Sequence, residues 1–131
     1  MNDLARIRFD RDDEILTATI AGEIDISNTS ELRRSIDAQL ADTTTVIIDL
    51  SATTFVDSTG VALLLDMASR LRTTRRTLYL VIPADAPIRR IATLTGLNKE
   101  VTVLPKLSDA RAPHETPSPR GPRSTAFRRP C

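Results

Sequence analysis

Apolar and polar residues alternate from Arg6 to Asp10 (Arg-Ile-Arg-Phe-Asp), the period of a strand with one face toward a core and one toward water. After a turn at Asp12-Asp13, Ile15 to Ile20 repeats the pattern, with Leu16, Ala18 and Ile20 on one face and Thr17 and Thr19 on the other. Two strands so closely spaced predict an antiparallel hairpin. Gly22 to Ile26 then reads as a loop. Asn28, with Glu31 three residues on, is a helix-start signature, and Leu32, Ile36 and Leu40 follow at near-helical spacing. Thr45 to Leu50 is almost continuously apolar and β-branched at its first four positions, as in a central strand covered on both faces.

Ser51 to Asp57 reads as a loop and Ser58 to Leu71 as a second helix, whose buried stripe includes Val61, Leu64, Leu65, Ala68 and Leu71. Leu63 and Met67, one turn apart, lie off that stripe and read either as core under a third helix or as an apolar patch for a partner. Thr77 to Ile82 predicts another strand, ended by Pro83. A third helix opens at Asp85-Ala86-Pro87, with proline in the first turn where its missing N–H does no harm. Ile88, Ile91 and Ala92 form its stripe, Gly96-Leu97 its left-handed cap, and Val101 to Val103 a last short strand. The order β-β-α-β-α-β-α-β predicts a single α/β domain. Its mixed sheet has about five strands, antiparallel in the opening hairpin and parallel through right-handed crossovers thereafter.

The 131 residues suffice for one core, and with 3% aromatics and no Trp that core must be aliphatic. The longest apolar run, Val61 to Leu65, is stopped by Asp66, far short of the roughly 20 residues of a membrane span. No basic stretch followed by an apolar one opens the chain, so no secretory signal is expected. The single cysteine, Cys131, excludes an intramolecular disulfide and a Cys-based zinc site. Net charge is +1, but its distribution is uneven. Residues 110–131 hold Arg111, Arg120, Arg123, Arg128 and Arg129 against Glu115 alone, which leaves residues 1–109 mildly acidic. The same stretch is rich in proline and poor in apolar residues, which predicts a disordered tail after a domain of residues 1–109. Its arginines could meet an acidic partner or a phosphate-rich surface, but Phe127 alone offers no stacking platform for nucleic acid.

Catalysis finds little support. The only histidine, His114, lies in the predicted tail, so a Ser-His-Asp site inside the domain is excluded. No dinucleotide or P-loop glycine pattern occurs. Glu23, Asp25 and Asp57 are carboxylates without a further suitable metal ligand.

The most informative segment is Phe55-Val56-Asp57-Ser58-Thr59-Gly60-Val61, between a buried strand and an apolar helix. The carboxyl ends of strands in α/β folds are where ligands and partners meet the chain. Ser58 would lie at a helix N-terminus, where free N–H groups favour an anion, and a phosphate there would add about −1.5 to −2 charges beside Asp57. The same residues are equally what an ordinary helix cap looks like, and Gly60 can equally serve close helix–sheet packing.

Gly22-Glu23-Ile24-Asp25, Asn28, Asp49-Leu50-Ser51, Phe55 to Gly60 and Thr95-Gly96-Leu97, in that order, resemble the STAS domain, whose name joins sulfate transporters and anti-sigma factor antagonists. The resemblance spans roughly residues 4–107, leaves out the tail, and is to the antagonist branch. It implies that Ser58 is a phosphoacceptor, and that the unmodified protein binds an anti-sigma factor that is itself a serine kinase, freeing a sigma factor for transcription. The kinase phosphorylates Ser58 from ATP and so ends the complex, and a metal-dependent serine phosphatase restores it. The partner surface implied is Glu23, Asp25, Asn28, Asp57, Ser58, Thr59 and Gly60. Asp25 and Asn28 also read as caps of the first helix. Thr59 departs from the Ser-Ser form of the motif but keeps a hydroxyl. The expectation is a bacterial cytoplasmic regulator, not an enzyme, with no cofactor, no direct nucleic-acid contact and no membrane. An alternative is an unphosphorylated accessory subunit of a lipid-transport-like system, in which Ser58 is only a cap. A Ser58 nucleophile is a third, left without a histidine.

Overall fold

A computed structural model describes residues 5–110. In chain order the elements are β1 (Ala5–Asp12), β2 (Ile15–Ile24), α1 (Thr29–Asp37), β3 (Thr45–Asp49), β4 (Thr53–Val56), α2 (Ser58–Thr73), β5 (Thr77–Val81), α3 (Pro87–Thr95), α4 (Leu97–Glu100) and β6 (Thr102–Leu104). Residues 107–110 are helical as well. The main sheet runs β1-β2-β3-β5-β6, with β4 paired to β2. β1 and β2 are antiparallel and every other pairing is parallel. The mixed α/β sheet expected from the alternation is the one observed.

The core is aliphatic and two-sided. Leu16, Ala18 and Ile20 of β2, Val46 and Ile48 of β3, and Leu78 and Leu80 of β5 face one way, onto Leu32 and Ile36 of α1, the buried stripe of α2, and Ile88 and Ala92 of α3. The intervening residues Ile47 and Val81 face the other way and pack with Ala110, half-buried Tyr79, Leu104 and Leu107 beside them. The β-branched run at 45–48 is buried throughout because both faces of β3 are covered. Ala110, read with the tail in the sequence, is fully buried here. The rest of the basic stretch, including His114 and Cys131, lies outside the described residues.

The loop expected at 51–57 contains a strand, β4, and the loop expected at 22–26 is largely the end of β2. β2 is long enough to serve two partners. Residues 15–19 pair with β3, and after a register shift between Gly22 and Glu23 the strand continues beside β4. Gly22 takes φ +103°, a conformation that a side chain would oppose. Between β3 and β4 the chain steps aside through Leu50–Ala52. The Gly22 N–H donates to the Ala52 carbonyl at 3.0 Å and the Thr53 hydroxyl to the Ile20 carbonyl at 2.7 Å. A four-residue strand of this kind exists only because its partner is already there.

Candidate functional site

The end of β2 and the end of β4 lie side by side, Glu23 beside Phe55 and Ile24 beside Val56, and each strand leads through a short connection into a helix. The Asp57 N–H donates to the Ile24 carbonyl at 3.1 Å and fastens the two exits together. The loops carrying Asp25 and Ser58 are thereby neighbours, as the resemblance implied.

Asp57 is the cap of α2. Its Oδ1 accepts from the Thr59 hydroxyl at 2.5 Å, the Thr59 N–H at 2.9 Å and the Gly60 N–H at 3.1 Å. The Thr59 hydroxyl, together with the N–H groups of Gly60, Thr59 and Ile26, holds the carboxyl below its ordinary 3.8, against a smaller opposing effect of burial. The Ile26 contact extends the carboxylate's reach to the neighbouring loop.

Ser58, the first residue of α2, is exposed, and its hydroxyl takes no part in the cap. The capping work proposed for Asp57 or Ser58 therefore belongs to Asp57. One expectation changes with it. The terminal amides that were to receive a phosphate on Ser58 include those of Thr59 and Gly60, and Asp57 already occupies both.

Gly60 is buried because the first turn of α2 lies directly on the sheet. A Cβ there would stand 2.6 Å from Val56 Cγ1 and 2.9 Å from Ile24 Cγ2, closer than carbon atoms can approach. Its packing role is confirmed by that geometry, and it sets how deeply the start of α2, and hence Ser58, is seated.

Asn28 corrects the sequence reading in two ways. It occupies the cap position of α1, but its side chain makes no capping bond. Its Oδ1 instead accepts from the Asp25 N–H at 3.1 Å, and its Nδ2 donates to the Glu23 carbonyl at 2.8 Å. It is also only 8% exposed, so its side chain shapes the loop from inside and does not face outward. Asp25 is half-buried, and its carboxylate accepts from the N–H and hydroxyl of Ser27, not from the helix end. Glu23 is exposed.

Two residues that the sequence reading did not single out individually complete the surface. Ile26 is 76% exposed and Phe55 46%, unusual for such side chains. Phe55 was visible as part of a motif, but its exposure depends on the register of β4. Leu63 and Met67 are buried and are not a partner patch. They face α1, not α3: Leu63 lies in the cleft with Thr29, Ser30 and Arg33, and Met67 lies beside Asp37 and Leu40. That first cleft, of about 600 Å³, opens between α1 and α2 next to Thr59, and the Arg33–Asp66 ion pair, 2.5 Å long, crosses it. Among the described residues no three metal-ligating side chains come together, and no helix is long and apolar enough to cross a membrane.

The family model described as the STAS domain matches residues 6–110. Among solved structures, an anti-sigma factor antagonist from Mycobacterium paratuberculosis is 30% identical, with a TM-score of 0.74 over 83% of this chain and 92% of that one. The anti-sigma factor antagonist SpoIIAA in its unphosphorylated form is 19% identical, with a TM-score of 0.70 over 86% of this chain and 100% of that one. The phosphorylated form of the Bacillus protein SpoIIAA, also 19% identical, gives 0.62 over 84% and 100%. At that identity the two SpoIIAA structures speak for the fold alone. No curated protein matches the chain.

Proposed function

Because the chain belongs to the STAS domain family, we propose that it is an anti-sigma factor antagonist switched by phosphorylation of Ser58. In this reading it is a bacterial cytoplasmic regulator and not an enzyme. Unmodified, it binds an anti-sigma factor serine kinase and releases a sigma factor. Phosphorylation ends the complex, and a serine phosphatase renews it.

The observation that carries the proposal is the division of labour between Asp57 and Ser58. A cap is needed at this helix start, and Asp57 supplies it with three hydrogen bonds. Ser58 is left exposed, with its hydroxyl outside the cap. That disfavours a reading in which Ser58 is merely a cap.

The same geometry suggests how the phosphate acts. With two terminal amides taken by Asp57, the new group projects from the surface and adds about −1.5 to −2 charges next to the Asp57 carboxylate. The domain need not change shape. The partner loses a surface in which Ile26 and Phe55 offer apolar contact around a neutral hydroxyl.

Intact-mass spectrometry after incubation with candidate host kinases and ATP is the test. One added phosphate is expected, and none on Ser58→Ala, which keeps binding the kinase. Ser58→Asp should bind poorly. If Ser58→Asp binds as well as the unmodified protein while Ser58→Ala does not, added charge is not the off signal. If no kinase adds phosphate, the reading fails.

A further inference from the structure

The cleft between α1 and α2 differs in charge from the domain around it. Residues 1–109 are mildly acidic, yet the charged side chains lining the cleft are two cations, Arg33 and Arg34, against one anion, Asp66. Arg34 is exposed and has no hydrogen bond or ion pair among the described residues. Arg33 reaches Asp66, but both side chains are about 40% exposed, and ion pairs so open to water hold weakly. Asp66 Oδ2 is a buried atom that accepts no hydrogen bond, so the contact is not aligned as one. Asp66 also faces Arg70 at 3.7 Å, and Arg70 is fixed by a 2.9 Å hydrogen bond to Asp37. An anion entering the cleft can therefore take Arg33 and leave Asp66 still paired. Leu63 floors the cleft, exposed Ala62 leaves room at its wall, and at one end it meets Thr59, the residue after Ser58.

We propose that this cleft receives an acidic segment of the kinase, whose Asp or Glu side chain is bound by Arg33 and Arg34 while Ser58 faces the kinase's active site. The inference rests on the reading of Ser58 as that kinase's phosphoacceptor, and it names a contact that holds the two proteins together. Charge selects the occupant. A basic segment would meet two arginines, an apolar one would leave them unpaired, and a guanidinium fork suits a carboxylate. A phosphate on Ser58 adds its charge at the mouth of the cleft, beside the arriving carboxylate, so the same contact makes the complex sensitive to the modification.

Biolayer interferometry of the full chain against each candidate host anti-sigma factor kinase, in ADP so that no phosphate is transferred, reads the contact. Arg34→Glu should weaken binding at least about tenfold and Arg33→Glu/Arg34→Glu further, with the wild-type affinity falling as salt rises. Arg75→Glu, the same charge change beyond the far end of α2, should bind as the wild type does. Asp66→Asn should bind more tightly, because it releases Arg33 and removes a competing anion. A merely structural Arg33–Asp66 pair would make that variant bind less well. Circular dichroism and thermal melting establish that each variant is folded. Variants that all bind a kinase as the wild type does overturn the proposal and leave the Ser58 reading standing. So does an Arg75→Glu that loses as much as Arg34→Glu, or an Asp66→Asn that binds less well. If Arg34→Glu binds the kinase normally but no longer binds inorganic pyrophosphate that the wild type holds, the cleft belongs to a small anion instead. If no kinase binds the wild type, the Ser58 reading itself fails and this inference falls with it.

Discussion

The starts of α1 and α2 look alike in the sequence and are built differently. Each follows a parallel pair of strand ends, and each has a short amide or acid side chain at the cap position, Asn28 for one and Asp57 for the other. Asp57 turns forward onto its helix and binds the first turn. Asn28 turns backward and binds the backbone of Glu23 and Asp25, leaving its helix without a side-chain cap. The difference follows from chemistry. A carboxylate only accepts hydrogen bonds and suits a row of N–H donors. A carboxamide both donates and accepts, and so can bridge a carbonyl and an N–H on the same loop. One side chain therefore stiffens the loop that carries Asp25, and the other frees Ser58 from capping. The exposed surface between them is the product of both.

The largest expected effect comes from forcing the second start off the sheet. Gly60→Ala places a methyl against Val56 and Ile24 and should cost about 1–3 kcal/mol in urea unfolding, as overpacking does. It should also slow phosphorylation of Ser58 by lifting the first turn. A loss below about 0.5 kcal/mol would mean that the turn moves freely and that the seating of Ser58 is not set there.

Exchanging the acid and the amide sharpens the contrast. Asn28→Asp keeps the acceptor for the Asp25 N–H but turns a carboxylate toward the Glu23 carbonyl, a buried donor lost. Stability should fall by about 1–3 kcal/mol. Ionisation of the new carboxyl is opposed in the fold, so its folded pKa lies above the unfolded one, and the deficit grows as pH rises through the carboxylate range and shrinks in acid. A deficit independent of pH would show that the carbonyl is not what the side chain faces.

Asp57→Asn should have the smallest effect, and one of opposite sign in pH. The native carboxyl titrates below its ordinary 3.8, so its stabilisation is fully present above that value and is lost as pH falls through the folded one. The variant keeps an acceptor for the amides but not this dependence. Thermal melts between neutral pH and about pH 2 should therefore drop more steeply for the wild type than for Asp57→Asn. Parallel curves would remove Asp57 from the acid response.

Much of this was legible in the chain. Alternation around Arg8, β-branched residues at 45–48, the stripes of α2 and α3, Pro87 at a helix start and Gly96 at φ +80° are local signals whose physics acts within a few residues, and the elements appeared where these signals stand. The Asp-Ser-Thr-Gly segment was likewise legible as a candidate site. β4 was missed although Thr53 to Val56 has suitable residues, because its pairing depends on β2 running past β3 and shifting register at Gly22. Leu63 and Met67 were ambiguous because helical spacing states which residues share a face, not which neighbour covers it.

The amino-acid pattern by itself determined the order of elements, the aliphatic core and the residue types available at the site, since these depend on side-chain chemistry and short spacings. Only the tertiary structure decided that Asp57 caps while Ser58 is left exposed, that Asn28 is spent inside a loop, and that Ile26 and Phe55 reach solvent. Each of those outcomes depends on which backbone donors, carbonyls and side chains from distant parts of the chain compete for the same space, and folding alone brings them together.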